Sequence, residues 1–359
     1  MQRLNLSEVR PGMTLARTVI NENLIVVLAE NTFLTQAHIE KLEFLGITTV
    51  YVKDAYDLSP QSSMVKAMLS RSHAFVSDYQ EVLSVAEELF KTAEKTQSLP
   101  VQKAKSMIRE SVSPLIRQSG VIDYLYELKH TDKSVYNHSL RVSILAGVLA
   151  KWMQYDEAAM QDVTLAGFLH DIGKTQIDQN IVEREVESLT PEEMEIYMQH
   201  TINGYHLLSA NAELSEGVKK AALQHHEKTN GTGFPFNTLS AEIHDYAKIV
   251  ALADFYDIVT TEREGFPKCT PFSAIAMITQ KMFSEMDPKI CMPFLVNIQQ
   301  AFLGSTVLLS DKRRGVIIQY PKDYAAMPLV SMEDDEIIDL NKRTDLKIIE
   351  YNPPSSLSF

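Results

Sequence analysis

Two cysteines in 359 residues, Cys269 and Cys291, exclude a disulfide-built scaffold and read as idle or buried thiols of a reducing compartment. Basic charge is also scarce. Lysine and arginine number 34 against 47 aspartates and glutamates, so the net charge of −13 excludes a broad surface for a nucleic-acid polymer. No run of about 18 apolar residues occurs, which excludes a membrane-spanning helix. The first residues, Met1–Glu8, lack an apolar signal core, and the expectation is a cytoplasmic protein. With only 13 glycines and 14 prolines there is no low-complexity linker and no internal repeat. What remains is 45% hydrophobic and 23% charged, enough for a large core and two or three domains.

The expected fold class is mainly α, a helical bundle with a small α+β N-terminal domain and a short C-terminal β region. Residues 1–55 carry strand runs at Leu24–Leu28 and Thr48–Val52 around a helix from Thr35 to Leu45, with Thr35 as cap and Gly46 as stop. Residues 56–120 read as long helices, a linker or the start of the helical domain, and a coiled stalk there would allow a homodimer. Helices continue over 121–303. Thr190-Pro191-Glu192-Glu193 is a capping box that starts one of them. Phe272, Ile275, Ala276, Met282 and Phe283 mark another. The charged run Glu183–Glu187 reads as a solvated loop, or as a lid over a site. Residues 304–352 turn to strands, at Thr306–Leu309, Gly315–Gln319, Val330 and Lys347–Ile349, and 353–359 is a tail.

Five helical stripes contain an imidazole or a carboxylate where an apolar residue belongs. Val142, Leu145 and Leu149 run back to His138. Ala159, Val163 and Ala166 lead to His170 and Asp171. His200 lies between Ile196 and Leu207. Val218, Ala221 and Ala222 lead to His225 and His226, and Ile243, Ala247 and Val250 lead to Asp254. A buried polar group is costly unless paired, so five such positions call for a cation between them. Imidazole and carboxylate suit divalent ions, with iron or manganese first and zinc, nickel, magnesium or calcium as other candidates. Seven ligands exceed the needs of one ion with an open position, and two ions bridged by Asp171 fit better. Ion pairs about 3.5–4 Å apart are a standard device for phosphoester cleavage.

The motifs around these residues resemble those of the HD-GYP family of metal-dependent phosphohydrolases. His170-Asp171-Ile172-Gly173-Lys174 is similar to its HDIGK signature. His225-His226-Glu227 followed by Asn230-Gly231-Thr232-Gly233-Phe234-Pro235 resembles HHE…DGxGYP. Tyr136-Asn137-His138-Ser139, Met198-Gln199-His200 and Ala253-Asp254-Phe255-Tyr256-Asp257 resemble the remaining elements, in family order, over residues 121–290. The resemblance implies a helical phosphodiesterase that opens cyclic di-GMP to linear pGpG and further to GMP. It also implies one ion on His138, His170, Asp171 and Asp254 and the other on Asp171, His200, His225 and His226.

The sequence departs from that pattern at Phe234 (for tyrosine), Asn230 (for aspartate) and Lys248 (for arginine). Lysine keeps the charge and loses the bidentate fork. Ser134 stands where the three-metal subgroup has glutamate, so two ions are expected. Lys174 is assigned to a substrate phosphate beside the catalytic Asp171, with Lys248 and Arg263 as further phosphate contacts. Gly231 and Gly233 would let backbone approach the ligand, and Phe234 would stack on a base or fill the core. Asp257 and Glu227 would orient ligand histidines. Two other readings stay open: hydrolysis of a different cyclic dinucleotide or a nucleotide monophosphate, and a receptor or scaffold that binds nucleotide with little turnover.

Overall fold

The computed structural model describes all residues except 1, 11–12, 14, 21–25, 29–31, 33, 35, 53–62, 129–133, 263–267, 322–326, 333–335 and 353–359. The expected cap at Thr35, the strand start at Leu24, the acidic run from Glu333 and the tail lie outside the described residues. The chain divides into two compact units, residues 72–301 and the two flanking segments 1–71 and 302–359.

In the flanking unit, β1 (Gln2–Asn5) pairs antiparallel with β4 (Thr49–Val52), and β2 (Val19–Ile20) pairs with β3 (Val26–Leu28). Helix α1 (Gln36–Phe44) packs with them. Alternation along β4 buries Val50 and Val52, which join Leu6, Val9, Leu15, Leu34 and Leu42 in a core. The C-terminal segment of the same unit is a five-stranded antiparallel sheet. It uses β5 (Thr306–Leu309), β6 (Arg314–Gln319), β7 (Leu329–Met332), β8 (Ile337–Asp339) and β9 (Ile348–Asn352) in the order β8-β7-β6-β5-β9. β2 and β8, of two and three residues, are too short to leave an alternation in the sequence.

The helical unit begins within α2 (Ser63–Thr96). After Pro100 come α3 (Val101–Met107), a π-helical turn over Ile108–Val112, α4 (Ser113–Arg117) and α5 (Val121–Glu127). The bundle continues with α6 (Val135–Trp152), α7 (Glu157–Leu169), α8 (Gln179–Val182), α9 (Pro191–Ser209), α10 (Glu216–Gln224), α11 (Asp245–Thr260), α12 (Pro271–Lys281) and α13 (Pro288–Ala301). Caps set the starts. Ser134 accepts from Asn137 N at α6, Asp156 from Ala159 N at α7, and Thr190 with Glu193 closes the capping box of α9. Ser134 is therefore committed to the helix end. The core face of α12 is Phe272, Ile275, Ile278 and Met282. Of the residues that mark this helix in the sequence, Ala276 is rotated off the core face and exposed, and Phe283 lies beyond the helix end at Lys281. Among the described residues no helix is long and apolar enough to cross a membrane.

Candidate metal centre

The stripe-breaking residues sit at helix positions that aim them inward. His138 stands in the first turn of α6, His200 in the body of α9 and Asp254 in α11. His170 and His225 are the residues that terminate α7 and α10. Asp171 follows where the chain leaves α7 for a 3-10 turn over Ile172–Gln176. That turn lies against α9 through Gly173. A Cβ there would be 1.9 Å from the His200 carbonyl oxygen and 2.4 Å from Gly204 N. Only a residue without a side chain permits the approach, and it brings Asp171 to His200.

Three imidazoles are oriented by their own helices. His170 Nδ1 donates to Gly167 O (2.7 Å), His200 Nδ1 to Tyr197 O (2.6 Å), and His225 Nδ1 to Ala221 O and Ala222 O (3.0 and 3.1 Å). A carbonyl only accepts, so each Nδ1 holds the hydrogen and each Nε2 presents a lone pair. Those lone pairs converge. His200 Nε2 is 3.4 Å from His225 Nε2, and Asp171 Oδ1 is 3.4 and 3.6 Å from the two. His170 Nε2, His226 Nε2 and Asp171 Oδ1 are buried without a hydrogen-bond partner. An orphaned buried acceptor costs about 1–3 kcal/mol, and acceptors facing one another add repulsion. A cation among them removes both penalties.

The ligating atoms form two groups, each within 4.8 Å: Asp171 with His200, His225 and His226, and Asp171 with His138 and His170. Asp254 meets the second through His138, with Oδ1 3.0 Å from Nε2. The donor set fits divalent metal ions. Burial pushes His200 down to about 3 and holds His225 and His226 below the usual imidazole range. Those rings are neutral at neutral pH, the form that ligates. Burial opposes a charge on His138, but Asp254 and Asp257 outweigh it and raise that ring to about 9. Burial likewise opposes the Asp171 carboxylate, and the Lys174 ammonium nonetheless holds it well below the ordinary range. Lys174 Nζ lies 2.6 Å from Asp171 Oδ2 and over the Tyr197 ring.

Above the cluster opens a cavity of about 770 Å³, with His138, Asp171 and Lys174 on its surface and Gln179–Val186 along one side. The charged run 183–186 thus borders the site. Ile177 and Ile181 pack on Tyr197 and fasten this segment to α9. Tyr136, Arg141 and Asp257 line the cavity too, with Phe90, Lys91 and Glu94 from α2.

Not every expected site residue reaches the cavity. Lys248 Nζ pairs with Asp287 at 2.8 Å. It precedes Asp254 by six residues on α11, which turns it about 120° away from the metal face. Gly233 makes its close approach to protein backbone instead of ligand: a Cβ there would lie 2.4 Å from His226 O and Lys228 N. Gly231 has φ +73 and turns the same loop. Phe234 packs against His226, with ring centroids 4.5 Å apart and planes tilted by 30°. Glu227 accepts from Phe236 N, Thr238 N and Thr238 Oγ1 at 2.8–3.0 Å, so its carboxylate fastens the loop. Asn230 Oδ1 closes that loop by accepting from Thr232 N and Oγ1. Arg263 lies outside the described residues. Asp257 does meet a ligand histidine, its Oδ2 2.8 Å from His138 Nδ1.

Sequence reading missed Arg141. It sits three residues after His138, buried, with Nε and Nη2 on the two oxygens of Asp257. An arginine inside the stripe His138–Leu145 breaks the same rule that exposed the histidines.

Comparison with known proteins matches the HD domain family over residues 126–290. A cyclic di-GMP phosphodiesterase of Pseudomonas aeruginosa is 26% identical over 282 residues, covering 76% of this chain and 67% of that protein. A cyclic di-GMP phosphodiesterase of Thermotoga maritima is 32% identical over 185 residues, 48% of this chain and 49% of that protein. The chain thus spans two thirds of one relative and half of the other. Among solved structures, an HDG"Y"P protein from Bdellovibrio bacteriovorus superposes with a TM-score of 0.52 at 18% identity, over 83% of this chain and 99% of that one. That likeness concerns the fold.

Proposed function

This chain belongs to the HD-GYP family, and from that premise we propose that it is a metal-dependent phosphodiesterase hydrolysing a cyclic dinucleotide, cyclic di-GMP, to linear pGpG, with GMP as a further product. One observation carries the reading: a single carboxylate, Asp171, belongs to two imidazole groups beneath a cavity of about 770 Å³. Ligand sites commonly enclose about 300–1,000 Å³, so the space suits a dinucleotide. His138, His170, Asp171 and Asp254 would hold one ion, and Asp171, His200, His225 and His226 the other. Bound divalent ions, iron or manganese by donor type, supply Lewis acidity toward phosphoryl oxygens and activate water near neutral pH.

The chain's own residues do the rest. Lys174 stays charged, because Asp171 outweighs the penalty of its burial, and it offers an ammonium to a phosphoryl oxygen in the cavity it lines. This local positive charge draws an anionic ligand to a chain of net charge −13. The carbonyls of Gly167, Tyr197 and Ala221 keep His170, His200 and His225 in the tautomer that points Nε2 inward. The segment Gln179–Val186 walls the cavity and limits access of water.

The test is a substrate panel with protein loaded anaerobically with Mn²⁺ or Fe²⁺. It includes cyclic di-GMP, a mixed guanine–adenine cyclic dinucleotide, cyclic di-AMP and a nucleotide monophosphate, with products separated by chromatography. Cyclic di-GMP should be cleaved fastest, and Asp171→Ala should fall to background. Activity near wild type in Asp171→Ala would place the chemistry elsewhere. Tight binding of cyclic di-GMP without turnover would make the protein a receptor.

A further inference from the structure

The four histidines that bracket Asp171 most closely are not oriented alike. His170, His200 and His225 hand their Nδ1 hydrogens to carbonyls three or four residues back in their own helices. Those carbonyls come with the helix and need no other residue. His138 sits in the first turn of α6, where the helix offers backbone N–H groups. Its Nδ1 meets Asp257 on α11 instead, at 2.8 Å. The orientation of this one ring thus depends on a side chain, and a carboxylate on a free χ2 does not hold a fixed plane.

Arg141 supplies the missing constraint. Its Nε donates to Asp257 Oδ1 (2.8 Å) and its Nη2 to Oδ2 (2.9 Å), a bidentate fork that fixes the carboxylate plane. Oδ2 then accepts from Arg141 and His138 together. Both side chains of the pair are nearly sealed from solvent, at 6% and 5% exposed. A buried ion pair is a weak source of stability and can often be replaced by apolar groups of like volume without loss. Its place here is better accounted for by what it holds.

We propose that Arg141 is a positioning residue that sets the orientation of His138 through Asp257, and so governs metal binding at the His138–His170 group and not at the His200–His225–His226 group. This rests on the functional reading above and deepens it by making the two ion positions unequal. Loss of the fork frees Asp257 to swing, so His138 no longer presents Nε2 beside Asp254 in one fixed pose. In the other group His200 and His225 keep their local carbonyl restraints.

The experiment titrates the metal-free protein of residues 1–359 with Co²⁺, followed by calorimetry and by the visible absorption of the bound ion. Wild type, Arg141→Met and Arg141→Lys are compared, with circular dichroism and melting as checks of folding. Residues that orient a metal ligand in this way change metal affinity by about 10–100-fold. Wild type should take up two ions. Arg141→Met should bind one of them at least about tenfold more weakly and the other as wild type does. Arg141→Lys keeps the charge without the fork and should recover part of the loss. Two ions bound by Arg141→Met as in wild type would overturn the proposal. So would equal weakening of both sites, or unfolding of Arg141→Lys together with Arg141→Met, which would mark a merely structural pair. Failure of the wild type itself to take up metal would overturn the functional reading and this one with it.

Discussion

Replacing Gly173 by alanine tests how the centre is assembled. The added methyl would lie 1.9 Å from His200 O, 2.4 Å from Gly204 N and 2.9 Å from His200 C. All three are backbone atoms of α9, so no side chain can rotate away. Ordinary contact starts near 3.4 Å, and the turn must therefore retreat from α9 by about 1.5 Å. Overpacking costs about 1–3 kcal/mol where side chains can adjust, so about 3 kcal/mol or more is expected here. For a unit of this size that lowers the melting temperature by about 6–12 °C. The same retreat pulls Asp171, two residues earlier, from His200 and should weaken metal uptake. Gly204→Ala is the control. Its methyl would meet nothing nearer than 3.3 Å, and alanine favours a helix, so the expected change is within about 1 kcal/mol. The assay is melting of metal-free and Mn²⁺-loaded proteins. A Gly173→Ala protein that melts with wild type and binds metal equally would refute the close-approach argument.

Glu227→Ala removes the acceptor for Phe236 N and Thr238 N, at a cost of about 2–3 kcal/mol, and should raise hydrogen exchange of those two amides at least tenfold, whereas unchanged exchange would show that the loop is held otherwise. In metal-free protein, His200 titrates at about 3 when folded and near 6.5 when unfolded, so the unfolded state binds more protons between those values and stability falls as pH drops through that window. His138 acts oppositely: its folded value of about 9 makes its contribution fade as pH rises from 6.5 to 9. Melting of chelator-treated protein across pH 4–9 should show both declines; stability that grew between pH 6.5 and 4 would contradict the buried neutral imidazoles.

The amino-acid sequence shows the cluster because burial is costly for imidazole and carboxylate. His138, His170, Asp171, His200, His225, His226 and Asp254 interrupt apolar stripes, and the structure brings all seven together. Lys248 illustrates what a motif hides: membership in the right helix does not fix the face, and Asp287, distant in sequence, claims its charge. Gly231, Gly233 and Glu227 stand beside ligands in sequence, yet their partners are the loop's own backbone, which no periodicity reveals. Arg141 was legible by the stripe rule, but its acceptor lies 116 residues on. The helices between residues 121 and 301 follow their stripes, save that Ala276 is turned off the core face of α12 and Phe283 falls beyond its end. The short strands β1, β2 and β8 depend on pairing that only the assembled sheet supplies.

Metal stoichiometry tests the central claim most directly. Anaerobically purified protein, reconstituted with Mn²⁺ and freed of excess, should carry about two ions per chain by elemental analysis, and Asp171→Ala, which removes the carboxylate common to both groups, should carry close to none. Wild-type protein without bound metal, or Asp171→Ala retaining two ions, would contradict it.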